Sequence, residues 1–277
     1  MLMSIAYTME SVSTNIDMDK VRVPGSQTKR IIGSDIDVIT WHQILNSIDK
    51  WGEEYRSRYI CVCNVHSVVT ANKSADLQEA INNADIATPD GMPLVWLIRH
   101  GGFPAQERIY GPDIMWKYCA MAAAHKRSIY LFGTTEATLG KLRSALETAF
   151  PGLKIAGSYA PPFRPLTVVE DETIINQINS SGANVVFVGL GCPKQELWMA
   201  EHRGRINAVM IGVGAAFDFH AGTTKTAPKW MQSAGLEWLF RLLSEPRRLW
   251  KRYLVTNTKF ILYILGAPFR RKVTGAR

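Results

Sequence analysis

Asn184-Val185-Val186-Phe187-Val188-Gly189-Leu190-Gly191-Cys192-Pro193-Lys194-Gln195 decides the fold of this chain. The apolar run 184–188 is short, β-branched and closed by glycine, which marks a buried strand, and Pro193 opens a helix expected to reach Arg203. Outward in both directions the same alternation repeats. Strands are expected at 59–63, 86–88, 128–133, 154–156 and 208–213. Between them the spacing predicts helices at 67–83, 92–99, 112–126, 170–180 and a stretch capped by Thr134-Thr135 that runs to Phe150. Strands joined by helices of this length lie parallel, because tight turns join only antiparallel neighbours. The expected class is α/β with a doubly wound, mostly parallel sheet. In such sheets ligands sit beyond the carboxyl ends of the strands, which directs attention to Asn64, Asp90, Gly133-Thr134 and the loops 189–195 and 212–218.

The two ends of the chain differ from this body. Residues 1–30 show no periodicity and read as a flexible tail; acids at Glu10, Asp17 and Asp19 and the want of an apolar core segment argue against a secretory signal. From residue 236 onward the pattern is purely helical, with Leu236, Leu239, Phe240 and Leu243 on one stripe, a restart at Pro246, and Leu249, Trp250, Tyr253 and Leu254 on the next. This end carries ten Lys/Arg against Glu237 and Glu245, and the remaining chain balances at 22 basic and 22 acidic residues, so the whole net charge of +8 resides here. The expected organisation is a tail (1–30), an α/β catalytic domain (31–235) and a basic amphipathic helical appendage (236–277). A cationic segment with interspersed Trp, Tyr and Leu suits anionic company such as phosphates or an acidic bilayer surface. The apolar run 260–269 is about half the length that crosses a bilayer. An exposed apolar stripe also leaves self-association open. Nucleic acid is not expected, because the aromatics follow helical spacing beside leucines.

Candidate chemistry gathers at the strand ends. Gly189, Gly191 and the helix after them offer backbone N–H groups to an anion, and the turn at Gly212-Val213-Gly214 repeats the device. Each lacks the third glycine of the dinucleotide fingerprint, and no phosphate-binding GxxxxGK[ST] run exists. Asp90, in Pro89-Asp90-Gly91, projects over the same edge and is a candidate general base; Asp218 is a second carboxylate there, able to bond a base or ribose or to cap the following turn. Asp35-Ile36-Asp37 matches the metal-holding DxD pattern of many sugar-transferring enzymes but is read as solvated edge residues. Cys61, Cys63, Cys119 and Cys192 read as free buried thiols, the first two on one strand face. No His pattern has metal-ligand spacing, His66 and His220 read as polar partners, and neither a metal nor a cofactor is expected. Charge developing on a leaving phosphate would then fall to Arg and Lys, with the C-terminal cluster as the supply.

The blocks Asn64-Val65-His66, Asn82-Asn83-Ala84-Asp85, Pro89-Asp90-Gly91-Met92, Glu107 to Asp113, Gly189 to Glu196 and Gly212 to Asp218, continuing through Ala227-Pro228, Gly235-Leu236-Glu237-Trp238 and Glu245-Pro246-Arg247-Arg248, resemble the WecG/TagA/CpsF glycosyltransferases. That resemblance implies a Rossmann-like body completed by a basic appendage at the membrane. It implies transfer of a sugar, with inversion and without an essential metal, from a UDP-sugar donor to a polyprenyl-diphosphate-linked acceptor in bacterial surface or exopolysaccharide assembly. The catalytic carboxylate then falls on Asp90 and substrate contacts on Asn64, Arg108, Gln195 and Asp218, with the glycines Gly189, Gly191 and Gly214. The appendage arginines fall on Arg241, Arg247, Arg248 and Arg252. Val62 stands where some members have Thr. Blocks 64–69 and 90–96 look most similar to members building xanthan-like polymers, which implies glucose; other members transfer N-acetylmannosamine or its uronic acid. The implied location is cytoplasmic, peripheral on the inner face of the cell membrane. Two other readings stand beside this one: a nicotinamide-dependent oxidoreductase or epimerase, and a non-catalytic membrane-surface protein.

Overall fold

Runs that are apolar on both faces can be buried only between two layers of helices, and five such runs here line up side by side, with a half-buried sixth strand at one edge. The computed structural model describes residue 23 and residues 26–270, with side chains as far as residue 266. Most of the expected tail, and Arg271, Lys272 and Arg277 of the basic end, lie outside the described residues. In chain order the elements are β1 (Gln27–Ile31), β2 (Ser34–Val38), α1 (Trp41–Glu53), β3 (Arg58–Cys63), α2 (Val65–Ala71), α3 (Ala75–Asn82), β4 (Ile86–Pro89) and α4 (Met92–His100). There follow α5 (Gly111–Ala124), β5 (Ser128–Gly133), α6 (Glu136–Ala149), β6 (Lys154–Tyr159), α7 (Val168–Ser181), β7 (Val185–Gly189), α8 (Lys194–Glu201) and β8 (Val209–Gly212). Four helices complete the described chain: α9 (Ala216–His220), α10 (Lys229–Ser233), α11 (Glu237–Ser244) and α12 (Pro246–Arg270).

The main sheet runs β4-β3-β8-β7-β5-β6 with every pair parallel. After β4 the chain crosses to the far side for β5 and β6, and β7 and β8 return to fill the centre. Both glycine turns therefore emerge at mid-sheet. Alternating side chains divide the core in two: Tyr59, Cys61, Cys63, Phe132 and Val186 face one layer, Ile60, Val62, Leu131 and Phe187 the other. Cys61 and Cys63 share a face, and all four cysteines are free. Where β5 meets β7, the strand ends press together so closely that a Cβ on Gly133 would sit 2.6 Å from the Gly189 backbone.

Several expectations are revised. Residues 27–30, assigned to the tail, form β1, which pairs antiparallel with β2. Asp37 is buried, and its carboxylate accepts the Ala87 N–H of β4 at 2.7 Å, so this half of the DxD run covers the sheet edge instead of facing solvent. Asp35 accepts the 3.8 Å approach of Arg30. The helix expected over 67–83 is two helices. Ser74 breaks it by accepting the Leu77 N–H, which makes it the cap of a new helix. Helix α1 was not anticipated, although Thr40 and Gln43 form a reciprocal capping box at its start. Pro246 does divide the appendage, ending α11 and opening α12.

Replacing Asp37 by alanine leaves the Ala87 N–H buried without its acceptor. Asp37→Ala is expected to lower stability by about 1–3 kcal/mol, read as a lower urea midpoint with an unchanged slope; an unshifted midpoint would contradict this placement.

Candidate active site

Parallel register aligns Cys63 at the end of β3 with Pro89 at the end of β4, so the next residues, Asn64 and Asp90, leave the sheet side by side. Asn64 is the N-cap of α2: its Oδ1 accepts the N–H groups of His66 at 3.0 Å and Ser67 at 3.3 Å. With the oxygen so committed, the Asn64 amide donates from Nδ2 toward Asp90 Oδ2 at 3.4 Å. Gly91 has no side chain at the point where a Cβ would meet the Asn64 Cα at 3.3 Å, which keeps the two strand ends this close.

Arg108, on the segment before α5, completes the group. Its Nη2 donates to Asp90 Oδ1 at 3.1 Å and its Nε to the Asp90 carbonyl, while its guanidinium lies 4.1 Å over the Tyr110 ring. The Asp90 and Arg108 side chains are only 14% and 17% exposed. Burial pushes the Asp90 carboxyl up to about 6; Arg108 opposes that shift, and Glu237 reinforces it. A carboxylate that is both ion-paired and basic is the result. Arg108 in turn is held above its ordinary value by Asp90 and Glu237, against the opposing effect of burial.

These residues form one end of a cavity of about 1040 Å³ along the carboxyl edge of the sheet. Asp90, Asn64, Arg108, Gly189, Gly191, Gln195, Gly214 and Asp218 all line it, as do Arg241, Arg248 and Arg252 of the appendage. Arg247 does not. It is exposed on α12 outside the cavity lining, because a helix that turns Arg248 and Arg252 inward points their neighbour elsewhere. Gln195 is fixed at both ends of its amide: Oε1 accepts the Gly191 N–H at 3.1 Å and Nε2 donates to Glu196 Oε1 at 2.9 Å. Asp218 accepts from Thr223, closing the turn after α9, and also borders the cavity, so the capping and site readings coexist.

The appendage forms the roof. Arg241 stacks 5.5 Å over Phe219, and the Nε groups of Arg241 and Arg252 are buried with no hydrogen-bond partner. His66 is buried against Arg252, and burial first, then that cation, lowers its imidazole to about 4, so it is neutral at physiological pH. His220 donates from Nε2 to the Pro112 carbonyl oxygen at 2.9 Å and stacks on Trp116. Asp35 and Asp37 do not reach the cavity, and among the described residues no group of three or more His, Cys, Asp or Glu is placed to hold a metal ion.

Among the lining residues left without a role by the sequence reading are Glu237, Tyr110, Glu196 and Phe163. Glu237 bonds Arg108 at 2.8 Å and accepts from the Tyr110 hydroxyl at 2.9 Å. Glu196 is 1% exposed and has one oxygen without a partner. Phe163 is 84% exposed at the mouth, on a loop stiffened by Pro161, Pro162 and Pro165 and tied down where Arg164 donates twice to Glu170. The proline run was visible in the sequence; the long-range partners of Glu237 and Tyr110 were not.

The doubly wound sheet thus brings a basic carboxylate, its paired guanidinium and two glycine turns to one cavity roofed by arginines, an arrangement suited to transfer of a group from an anionic carrier. Residues 29–274 match the glycosyl transferase WecG/TagA/CpsF family. Over 215 residues, 77% of this chain and 81% of the relative, the sequence is 33% identical to the N-acetylglucosaminyldiphosphoundecaprenol N-acetyl-beta-D-mannosaminyltransferase of Bacillus subtilis (strain 168). The chain belongs to the WecG/TagA/CpsF family and is a glycosyltransferase. The nicotinamide and non-catalytic readings are set aside by that membership.

The Asp90 titration has a consequence for stability. Its folded value of about 6 lies above the ordinary 3.8, so the folded chain binds the extra proton and gives up stability as pH rises through that interval. Asp90→Asn, neutral throughout, is expected to match the wild type below pH 4 and to exceed it by about 1–3 kcal/mol at pH 8. Urea melts at the two pH values check this, and equal differences at both would refute the raised value.

Proposed function

We propose that this chain transfers a hexose, glucose or N-acetylmannosamine, from a UDP-sugar to a polyprenyl-diphosphate-linked saccharide in bacterial surface or exopolysaccharide assembly, with inversion at the anomeric carbon and without a required metal. The observation that carries the reading is the Asp90–Arg108–Asn64 group at one end of a cavity whose middle is formed by the β7 and β8 glycine turns. Asp90 takes the proton from the acceptor hydroxyl as that oxygen attacks the anomeric carbon. UDP departs on the opposite face. Its developing charge is met by the N–H groups opening α8 and by Arg241, Arg248 and Arg252.

Spacing fits that assignment. Asp90 follows β4 and Gly189 follows β7, three strands away, which at sheet spacing is about 14 Å, a span suited to a nucleoside diphosphate laid along the edge. Phe163 lies further along the same direction and is rigidly presented to stack on the uracil. The relative's name specifies a beta-linked product. A single displacement on an alpha-linked nucleotide sugar yields that anomer, which supports inversion.

The outward side of α12 supports a position at a membrane surface. Leu249, Thr256 and Phe260 are buried against the body, while Leu254, Val255 and Leu262, outside the cavity lining, stay exposed beside Lys251, with Lys259 half-buried near them. An outward face both apolar and cationic suits an anionic bilayer, and we assign this chain to the inner face of the cell membrane on that basis. No helix among the described residues is long and apolar enough to cross a membrane. A second copy of the chain on the same face is the competing occupant.

Titration with UDP and turnover on a soluble acceptor analogue test the chemistry together. Asp90→Asn should bind UDP as the wild type does and lose roughly two to four powers of ten in kcat. Phe163→Ala should weaken UDP binding by about ten- to a hundredfold, with Phe163→Trp restoring it. Near-normal turnover in Asp90→Asn would remove this residue from the mechanism. For the membrane, the wild type is expected to sediment with phosphatidylglycerol vesicles and not with phosphatidylcholine, and to be released by salt; a stable dimer that ignores both vesicles would overturn the assignment.

A further inference from the structure

Only two acids stand in the basic end of the chain, and each is engaged. Glu245 pairs with Arg248 three residues on, within its own helical region. Glu237 reaches across to the body. Its two oxygens take different partners there, Oε2 the Arg108 guanidinium at 2.8 Å and Oε1 the Tyr110 hydroxyl at 2.9 Å. Arg108 Nη2 is thus shared between a carboxylate of the body and one of the appendage, and both carboxylates are 14% exposed. A negative charge placed beside a pocket for a diphosphate is costly unless it does something the pocket needs.

We propose that Glu237 is a positioning residue: seated on Arg108 and Tyr110, it shares the guanidinium with Asp90, so that a competent base exists only when the appendage covers the cavity. This rests on the reading of Asp90 as the base. Two effects follow from the one contact. Geometrically, Arg108 Nη2 is divided between Glu237 and Asp90 Oδ1 while its Nε holds the Asp90 carbonyl, so of the Asp90 carboxylate only Oδ1 meets the guanidinium, leaving Oδ2 with only the long Asn64 contact and open to an acceptor hydroxyl. Electrostatically, the second carboxylate offsets the guanidinium and keeps Asp90 basic. Without Glu237, Arg108 would be free to neutralise Asp90 undivided.

The groups facing Asp90 are few enough to separate. From the segment before α5 come Arg108 and Tyr110, from α11 Glu237, from the β3 end Cys63, whose thiol burial pushes well up, and the uncharged Asn64. His66, on α2, lies against Arg252 and is neutral in the range concerned. Glu237 is therefore the group whose removal lowers the Asp90 value while leaving Arg108, Asn64 and Asp90 themselves in place.

The test is Glu237→Gln in the full chain, which keeps size and loses charge, with Tyr110→Phe as a milder removal of the second partner and Asp90→Asn as reference. Glu237→Gln should lower kcat by about tenfold, hold KM for the UDP-sugar within about twofold, and move the acid limb of kcat from near 6 down by about one pH unit, the size of shift that a tenfold change represents. Tryptic cleavage after Arg241 or Arg247 should quicken as the appendage loosens. Tyr110→Phe should move kcat and cleavage the same way by a smaller factor. An unchanged kcat and acid limb in both variants overturns the proposal, as does a lower KM with higher kcat, which would make Glu237 a placeholder for the substrate's anion. If Asp90→Asn is inactive while Glu237→Gln is normal, only the role of Glu237 falls; if Asp90→Asn turns over normally, the reading of the base falls first.

Discussion

Parallel pairing of β3 with β4, in register from Ile60 with Ile86 to Cys63 with Pro89, is the constraint on which the site depends. Parallel strands end level with each other, so the residues that follow are delivered to one edge together. Asn64 and Asp90 meet for that reason, and so does their access to the turns after β7 and β8. Burial by two helical layers then sets the electrostatics. At the sheet edge Asp90 is removed from most water yet not from its counter-ion, which raises its proton affinity while holding its direction.

Local geometry and long-range charge play different parts in this arrangement. The α2 cap consumes the Asn64 oxygen and turns its amide hydrogens outward; that is settled within four residues of chain. Arg108 is settled by partners 18 and 129 residues away. Its stacking on Tyr110 keeps the guanidinium planar to one face, where carboxylates from two parts of the chain can share it. Anion-binding donors gather elsewhere in the cavity, at the glycine turns and on the inward side of α11 and α12. Most of the cavity's arginines, Arg241, Arg248 and Arg252, thus come from the appendage and not from the side of the strand that delivers Asp90, whose own counter-ion is Arg108.

The sheet was legible because five of its six strands are short, apolar on both faces and stopped by Gly, Asn or Asp at the ligand edge; the edge strand β6 is half-buried and runs three residues past its apolar start. Gly189, Gly191 and Gly214 could be placed at the cavity before any coordinates, since position at a strand end follows from the pattern alone. Helix α1 was missed although the Thr40–Gln43 cap signals it, because the Gly33–Ile39 run before it drew attention to Asp35 and Asp37. Those two aspartates show the limit of a short motif: Asp37 is spent on the Ala87 N–H of a neighbouring strand, a partner 50 residues away that no spacing rule supplies. The split between α2 and α3 turned on one serine that prefers a cap to a helix interior. Arg247 was grouped with Arg248 by charge, and the 100° between successive helical residues separated them.

The charge asymmetry of the chain acquires a structural meaning once α11 and α12 are seated. The body is balanced between acids and bases, and three of the four arginines that line the cavity, Arg241, Arg248 and Arg252, arrive with the appendage. The Nε groups of Arg241 and Arg252 are buried without protein acceptors, a cost that a bound anion in the same cavity would offset. Repulsion among these arginines opposes docking of the empty appendage. Leu249 and Phe260, buried against the body, oppose that repulsion with apolar burial, and Glu237 opposes it with the one cross-chain carboxylate of the segment. By mass action, an anion that neutralised the roof would favour the seated arrangement in which Glu237 sits on Arg108, so docking and charge in the cavity are coupled through the same side chains.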